Sequence, residues 1–280
     1  MGVRAFSLLM AAQLPSLYPQ GAGPKKPRVD PALFEGAEGC FVLYDMAADR
    51  RVAVFGEKRC AERYTACSTF KVPLALMAFD AGVLKYESTL LKWDGVSRFL
   101  EAWNRDQTAR SWMQNSVVWY SQRLTPLLGK ERIAAYLKSF QYGNEDFSGG
   151  LTSAWLTITR SDSDPGGGTL KISAFEQLEF LKRFWRNQLP VSADALARTR
   201  NITFLENSPG GFALHGKTGS GVFDDSRRDF GWFIGHIAGN GGEYVFVAGL
   251  TRDQQAADAR AAGMAAREIS RRILRDNGLW

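Results

Sequence analysis

The order of apolar and polar positions places strands at both ends of the chain and helices between them. Residues 40–45 (Cys-Phe-Val-Leu-Tyr-Asp) and 51–56 (Arg-Val-Ala-Val-Phe-Gly) are short runs rich in β-branched and aromatic residues, with residues 47–50 as the turn of a hairpin. A loop then leads to Ser68, where Pro73 and the apolar run 74–79 predict a buried helix starting at Ser68 and closing at Gly82. From Ser88 to about Phe204 the spacing is mainly helical, over 111–128, 130–140 and 172–187. Stretches rich in Gly, Asn, Asp and Pro separate these helices at 143–150 and 160–168. Strands return at 211–217, 229–236 and 242–249, and an Ala- and Arg-rich helix over 256–274 ends the pattern.

This order predicts an α+β fold: an antiparallel sheet built from both chain ends, flanked by helices, with a helical region inserted between. Residues 1–30 read as a signal-like or flexible N-terminal segment and 31–280 as one unit. Within it, 31–67 and 205–280 form the sheet region and 68–204 the helical region, with the functional cleft between them.

Bulk properties narrow the function. A 280-residue chain, 45% apolar and 23% charged, buries a substantial core as one large domain. The net charge of +6 and pI near 9.3 come from Lys and Arg scattered among Asp and Glu, with no basic stripe. We therefore expect no nucleic-acid partner, only mild attraction for anionic substrates. No apolar run is long enough to span a bilayer. Met1–Arg4 and the apolar stretch 5–14 have the outline of a short signal peptide or of a loose tail; export to the periplasm of a Gram-negative bacterium is the expectation. Cys40, Cys60 and Cys67 are an odd set, read as buried thiols, although an oxidising compartment would let Cys40 and Cys60 pair. His215 and His236 lack metal-ligand spacing, so no metal is expected.

The candidate chemistry starts at Ser68-Thr-Phe-Lys71. Positions i and i+3 share a helix face, so hydroxyl and amine can enter one cavity. A serine needs a base to become a nucleophile, and a lysine serves as one only without its charge. The helix start also favours a developing oxyanion. By itself the tetrapeptide is weak evidence, since Ser-x-x-Lys is far more often an N-cap serine with a solvated lysine. Ser116-Val117-Val118 and Lys217-Thr218-Gly219 make it a set. A second hydroxyl, on Ser116, can pass a proton toward a leaving group. Lys217 supplies positive charge, and Gly219 lets a ligand approach the strand closely.

From about Gly39 onward the chain resembles the class D (OXA-type) serine β-lactamases. The middle triplet is Ser-x-Val, Tyr142-Gly143-Asn144 matches a family motif, and Lys92-Trp-Asp-Gly95 matches the region before the middle helices. Gly149-Gly150 with Trp155-Leu156 is similar to the family's omega-type loop, and Gly231-Trp-Phe-Ile-Gly235 to its Gly-Trp strand. The resemblance implies hydrolysis of penicillin- and cephalosporin-type antibiotics through a Ser68 acyl-enzyme. It implies Ser116 and Lys217 as further catalytic groups, and CO₂ or bicarbonate as the only added component, carboxylating Lys71. An apolar pocket would keep that amine neutral. Val118, Phe70 and Leu156 would wall it and the Trp155 indole would donate to the carbamate. Backbone N–H groups of Ser68 and Ser220 would form the oxyanion hole, with Thr218 and Gly219 in the substrate site. Arg260 would hold the substrate carboxylate, with Arg252 and Arg267 as alternatives, and Tyr142 and Asn144 would be structural supports. The partner is a small-molecule β-lactam, and the protein a monomer or homodimer. Two departures are the long segment 157–168 and His236 in place of a tryptophan. The competing readings are a penicillin-binding D,D-peptidase and a β-lactam sensor that acylates without fast turnover.

Overall fold

The structure is a computed structural model, and it describes residues 27–157, 168–223, 228–253 and 261–280. The chain opens with β1 (Ala37–Asp45), β2 (Arg50–Phe55), α1 (Glu57–Ala61) and β3 (Tyr64–Thr65), followed by a 3-10 turn, Cys67–Phe70, that runs into α2 (Lys71–Asp80). The inserted part holds β4 (Leu90–Leu91), β5 (Gln107–Thr108), α3 (Ala109–Asn115), α4 (Val118–Leu128), α5 (Lys130–Phe140), β6 (Lys171–Ile172), α6 (Ala174–Trp185) and α7 (Ala193–Thr203). It returns through β7 (Phe204–Asn207), β8 (Ala213–Val222), β9 (Arg228–Gly239), β10 (Gly242–Asp253) and α8 (Ala262–Asp276).

The main sheet is antiparallel in the order β2-β1-β10-β9-β8-β7, so the first strands pair with the last and the two chain ends share one sheet. Strand alternation gives it two apolar faces. On β1, Cys40, Val42 and Tyr44 turn toward the helical region, and Phe41 and Leu43 toward the face that α8 covers. Helix α8 seals that second face with Ala262, Ala266, Ile273 and Leu274. Helix α2 is buried from Lys71 to Phe79 and has no polar face, as expected of a helix through the middle of a core. The fold is the α+β arrangement that the strand-helix-strand order implies.

Three local features differ from the sequence expectation. The single helix expected over 111–128 is two helices, broken where Ser116 takes a left-handed φ of 56° and Val117 is extended. The Asn115 carbonyl at the break accepts from the Trp103 indole at 2.9 Å, so the interruption leaves it satisfied. Helix α7, capped by Ser192, falls within the stretch that reads as mainly helical but does not stand out there, because its polar composition carries too weak an apolar rhythm. Cys40 and Cys60, read as thiols, form a disulfide between β1 and α1, with Cα atoms 5.2 Å apart across 20 residues of sequence. Sequence spacing carries no information about that distance, which arises from how β2 folds back along β1. Cys67 is the free cysteine among the described residues.

Candidate active site

Ser68 sits in the 3-10 turn at the head of α2, half-exposed on the floor of a cleft of about 740 Å³. The turn is held from below. Ala66 N–H donates to the Leu170 carbonyl at 3.1 Å, the Trp232 indole donates to the Thr65 carbonyl at 3.1 Å, and Thr69 Oγ1 donates to the Ala66 carbonyl at 2.6 Å. Cys67, just before the serine, has a left-handed φ of 49°. Cys67 and Ser116 both line the cleft, and both occupy backbone geometry that ordinary residues rarely adopt. Burial pushes the Cys67 thiol up to about 12, so it is no rival nucleophile.

Lys71 follows within the same helix turn. Its Nζ lies 3.1 Å from Ser68 Oγ and its side chain is fully buried. Among the described residues no carboxylate forms an ion pair with it. Burial, reinforced by the charge of Lys217, holds the amine well below its usual value. Lys217 on β8 is buried as well, and donates to the Thr218 carbonyl at 3.0 Å. Burial first, then the Arg267 charge, lowers it to about 7.

Ser116, Val118, Leu156, Thr218 and Ser220 line the cleft with Ser68. Phe70 and Trp155 lie behind it, fully buried, with ring centroids 5.3 Å apart, and Phe147 completes the aromatic packing. The Trp155 indole N–H has no hydrogen-bond partner among the described residues. A buried orphan donor beside the residue preceding Lys71 is the kind of atom that a ligand or bound group satisfies. Tyr142 packs on Phe70 and edge-on against Phe180, while Asn144 ties β6 in place by accepting from Lys171 N–H at 2.9 Å and donating to the Thr169 carbonyl at 2.7 Å. Both therefore support the pocket from behind.

Strand β8 forms the opposite wall. Its pairing with β7 stops at His215, which leaves its far stretch facing the nucleophile turn. The bare Cα of Gly219 faces that turn: a Cβ there would lie 3.2 Å from Thr69 Cγ2 and 3.3 Å from the Ala66 carbonyl. Gly219 thus also has a packing role, bringing β8 against the Ser68 turn. Ser220 Oγ accepts from Gly263 N–H at 3.0 Å, which docks the start of α8 on the strand.

Arg260 lies outside the described residues. Arg252 pairs with Asp229 at 3.1 Å, and Arg267 with Glu206 at 2.8 Å. The segment 158–167 also lies outside the described residues. Lys92 pairs with Asp106, and Asp94 with Arg98, folding a surface loop whose end presents Phe99 and Leu100 at the cleft mouth. His236 stacks on Trp185 at 3.5 Å and bonds Glu243 at 2.8 Å, and burial lowers it to about 4. Among the described residues no cluster of His, Cys, Asp and Glu could hold a metal. Sequence reasoning missed Arg59, a buried guanidinium on α1 over the Tyr64 ring, because an arginine in a stretch read as loop is expected to be solvated.

Residues 39–275 match the penicillin binding protein transpeptidase domain family. The chain is 42% identical over 226 residues to β-lactamase OXA-1 of Escherichia coli, covering 78% of each chain. It superposes on the crystal structure of a class D β-lactamase from Bacillus subtilis with a TM-score of 0.79 and 33% identity, covering 92% of this chain and 98% of that one. It also resembles the C-terminal domain of the Bacillus licheniformis BlaR penicillin-receptor, with a TM-score of 0.79 and 32% identity over 89% of this chain and 94% of that domain.

Proposed function

We propose a reaction course that proceeds from one premise: this chain belongs to the penicillin-binding transpeptidase family and, within it, to the class D β-lactamases. It hydrolyses the β-lactam ring of its substrates. The observation that carries the course is the Lys71 amine, fully buried, held well below its usual pKa by that burial, and 3.1 Å from Ser68 Oγ.

In acylation, Ser68 Oγ attacks the lactam carbonyl carbon and gives its proton to the base at Lys71. Charge develops on the carbonyl oxygen, which the backbone N–H groups of Ser68 and Ser220 receive. The C–N bond of the ring then breaks, and the ring nitrogen takes a proton through the Ser116 hydroxyl. Lys217, with Thr218, attracts the substrate carboxylate while it carries its charge. Water then attacks the Ser68 ester, releasing the opened acid and restoring the serine hydroxyl.

The pocket suits a carboxylated lysine. A neutral amine is the form that combines with CO₂, the buried Trp155 N–H lacks a partner among the described residues, and Val118, Phe70 and Leu156 supply apolar walls. A carbamate on Lys71 supplies an anionic general base strong enough for both half-reactions at neutral pH. The Cys40–Cys60 disulfide supports an exported protein in an oxidising compartment such as the periplasm.

The test is the time course of a chromogenic cephalosporin with the purified protein. Sustained turnover, with a transient adduct of the substrate's mass on Ser68, is the expected result. Ser68→Ala should remove the adduct. One stoichiometric burst followed by a stable adduct would instead make the protein a receptor like the BlaR domain it resembles.

A further inference from the structure

We propose that Arg59 is a positioning residue for the reaction: its buried guanidinium clamps the aromatic contact that sets the separation between the Ser68 turn and the Ser220 end of β8. Arg59 is 6% exposed. Among the described residues its Nε and Nη1 have no hydrogen-bond partner, and Nη2 donates only to Thr251 Oγ1, at 3.2 Å. Among the described residues no carboxylate pairs with it directly, Glu62 and Glu38 acting only at a distance, so a guanidinium this deep must draw most of its stabilisation from another source. Aromatic faces provide it: Cζ lies 3.4 Å from the Tyr64 ring centroid and 5.3 Å from that of Trp232.

The two rings lead to both oxyanion donors. Tyr64 belongs to β3, and the Trp232 indole holds the Thr65 carbonyl, three residues before Ser68. In the other direction, Tyr64 meets Phe223 at 5.9 Å and Phe230 at 5.5 Å, at the end of the β8–β9 hairpin just past Ser220, while Trp232 pairs across the sheet with Gly219. One cation therefore bears on the strand entering the nucleophile turn and on the strand supplying the second donor. The Cys40–Cys60 bond fixes the neighbouring residue to β1, giving Arg59 a rigid base. Donors to an oxyanion act only when aimed within a few tenths of an ångström. A side chain of similar volume but no charge would fill the space without orienting the rings.

The proposal rests on Ser68 and Ser220 supplying the oxyanion hole. The experiment measures, for wild type, Arg59→Met and Arg59→Lys, the acylation rate constant with a penicillin and the affinity of a boronic acid that forms a tetrahedral adduct on the serine. Arg59→Met should lower both about 10- to 100-fold, the range set by partial loss of an oxyanion donor. Arg59→Lys should recover part of both, since an ammonium keeps the cation–π contact. Were Arg59→Met not to fold, Tyr64→Leu, which removes the ring beneath the cation, should show the same paired loss. Acylation and boronate affinity within threefold of wild type in the folded variant would overturn the positioning role while leaving the Ser68 chemistry intact. Failure of the wild type to form any Ser68 adduct would overturn the chemistry first and this role with it.

Discussion

Holding a charged Lys71 ammonium in its site without a partner would cost roughly 3–5 kcal/mol, the scale of an uncompensated buried charge. Burial therefore favours the neutral amine, and the same burial that weakens the fold prepares a base. Lys71→Met should therefore abolish turnover yet raise the Tm by about 2–4 °C, corresponding to about 1 kcal/mol, measured by calorimetry beside a hydrolysis assay. Lys217 titrates at about 7 against its usual 10.5, so its positive charge is present below that pH and lost as pH rises through it. Activity at low substrate should fall along an alkaline limb near pH 7. Arg267→Gln removes a neighbouring cation that depresses Lys217, and should move that limb upward in a kcat/KM–pH profile. For stability the sign is opposite: between about 7 and 10.5 the unfolded chain binds the extra proton, so Lys217's contribution improves as pH rises. Ser68, Lys71 and Lys217 were legible because their chemistry demands particular residue types at fixed spacing. Arg59 was not, because nothing in its neighbours along the chain announces the rings that fold over it.

Elements were legible where an apolar rhythm is strong, as in α5, α6 and the three last strands. They blurred where a functional geometry interrupts that rhythm. The break at Ser116 is invisible in a run whose helical spacing continues on both sides, since the left-handed residue is dictated by the cleft and not by local propensity. The start of α8 shows a related effect. A Cβ on Gly263 would lie 2.3 Å from the Gly219 carbonyl, so the helix approaches β8 only through a residue without a side chain. The disulfide between β1 and α1 closes a loop spanning 20 residues. Replacing both Cys40 and Cys60 by Ala should cost about 3 kcal/mol and lower the Tm by roughly 5–10 °C, read from thermal melts. Dithiothreitol should bring the wild type to the same Tm.

At the scale of the molecule, the strand-helix-strand order already implied that both ends of the chain meet in one sheet, and the β1–β10 pairing realises it. The cleft lies where the inserted helices meet β8, and so draws on residues as far apart as Ser68, Ser116 and Ser220. Motif order could bring these three together; the distances between them, and the packing duty of Gly219, required coordinates. The central claim is that a buried, uncharged Lys71 takes up CO₂ and serves as the base for both halves of the reaction. The most direct measurement is steady-state cephalosporin hydrolysis by enzyme stripped of CO₂ at mildly acidic pH, then titrated with bicarbonate at constant pH. The account predicts low turnover that rises saturably with bicarbonate, and no rise in Lys71→Ala. Full turnover without bicarbonate, unchanged across the titration, would contradict it.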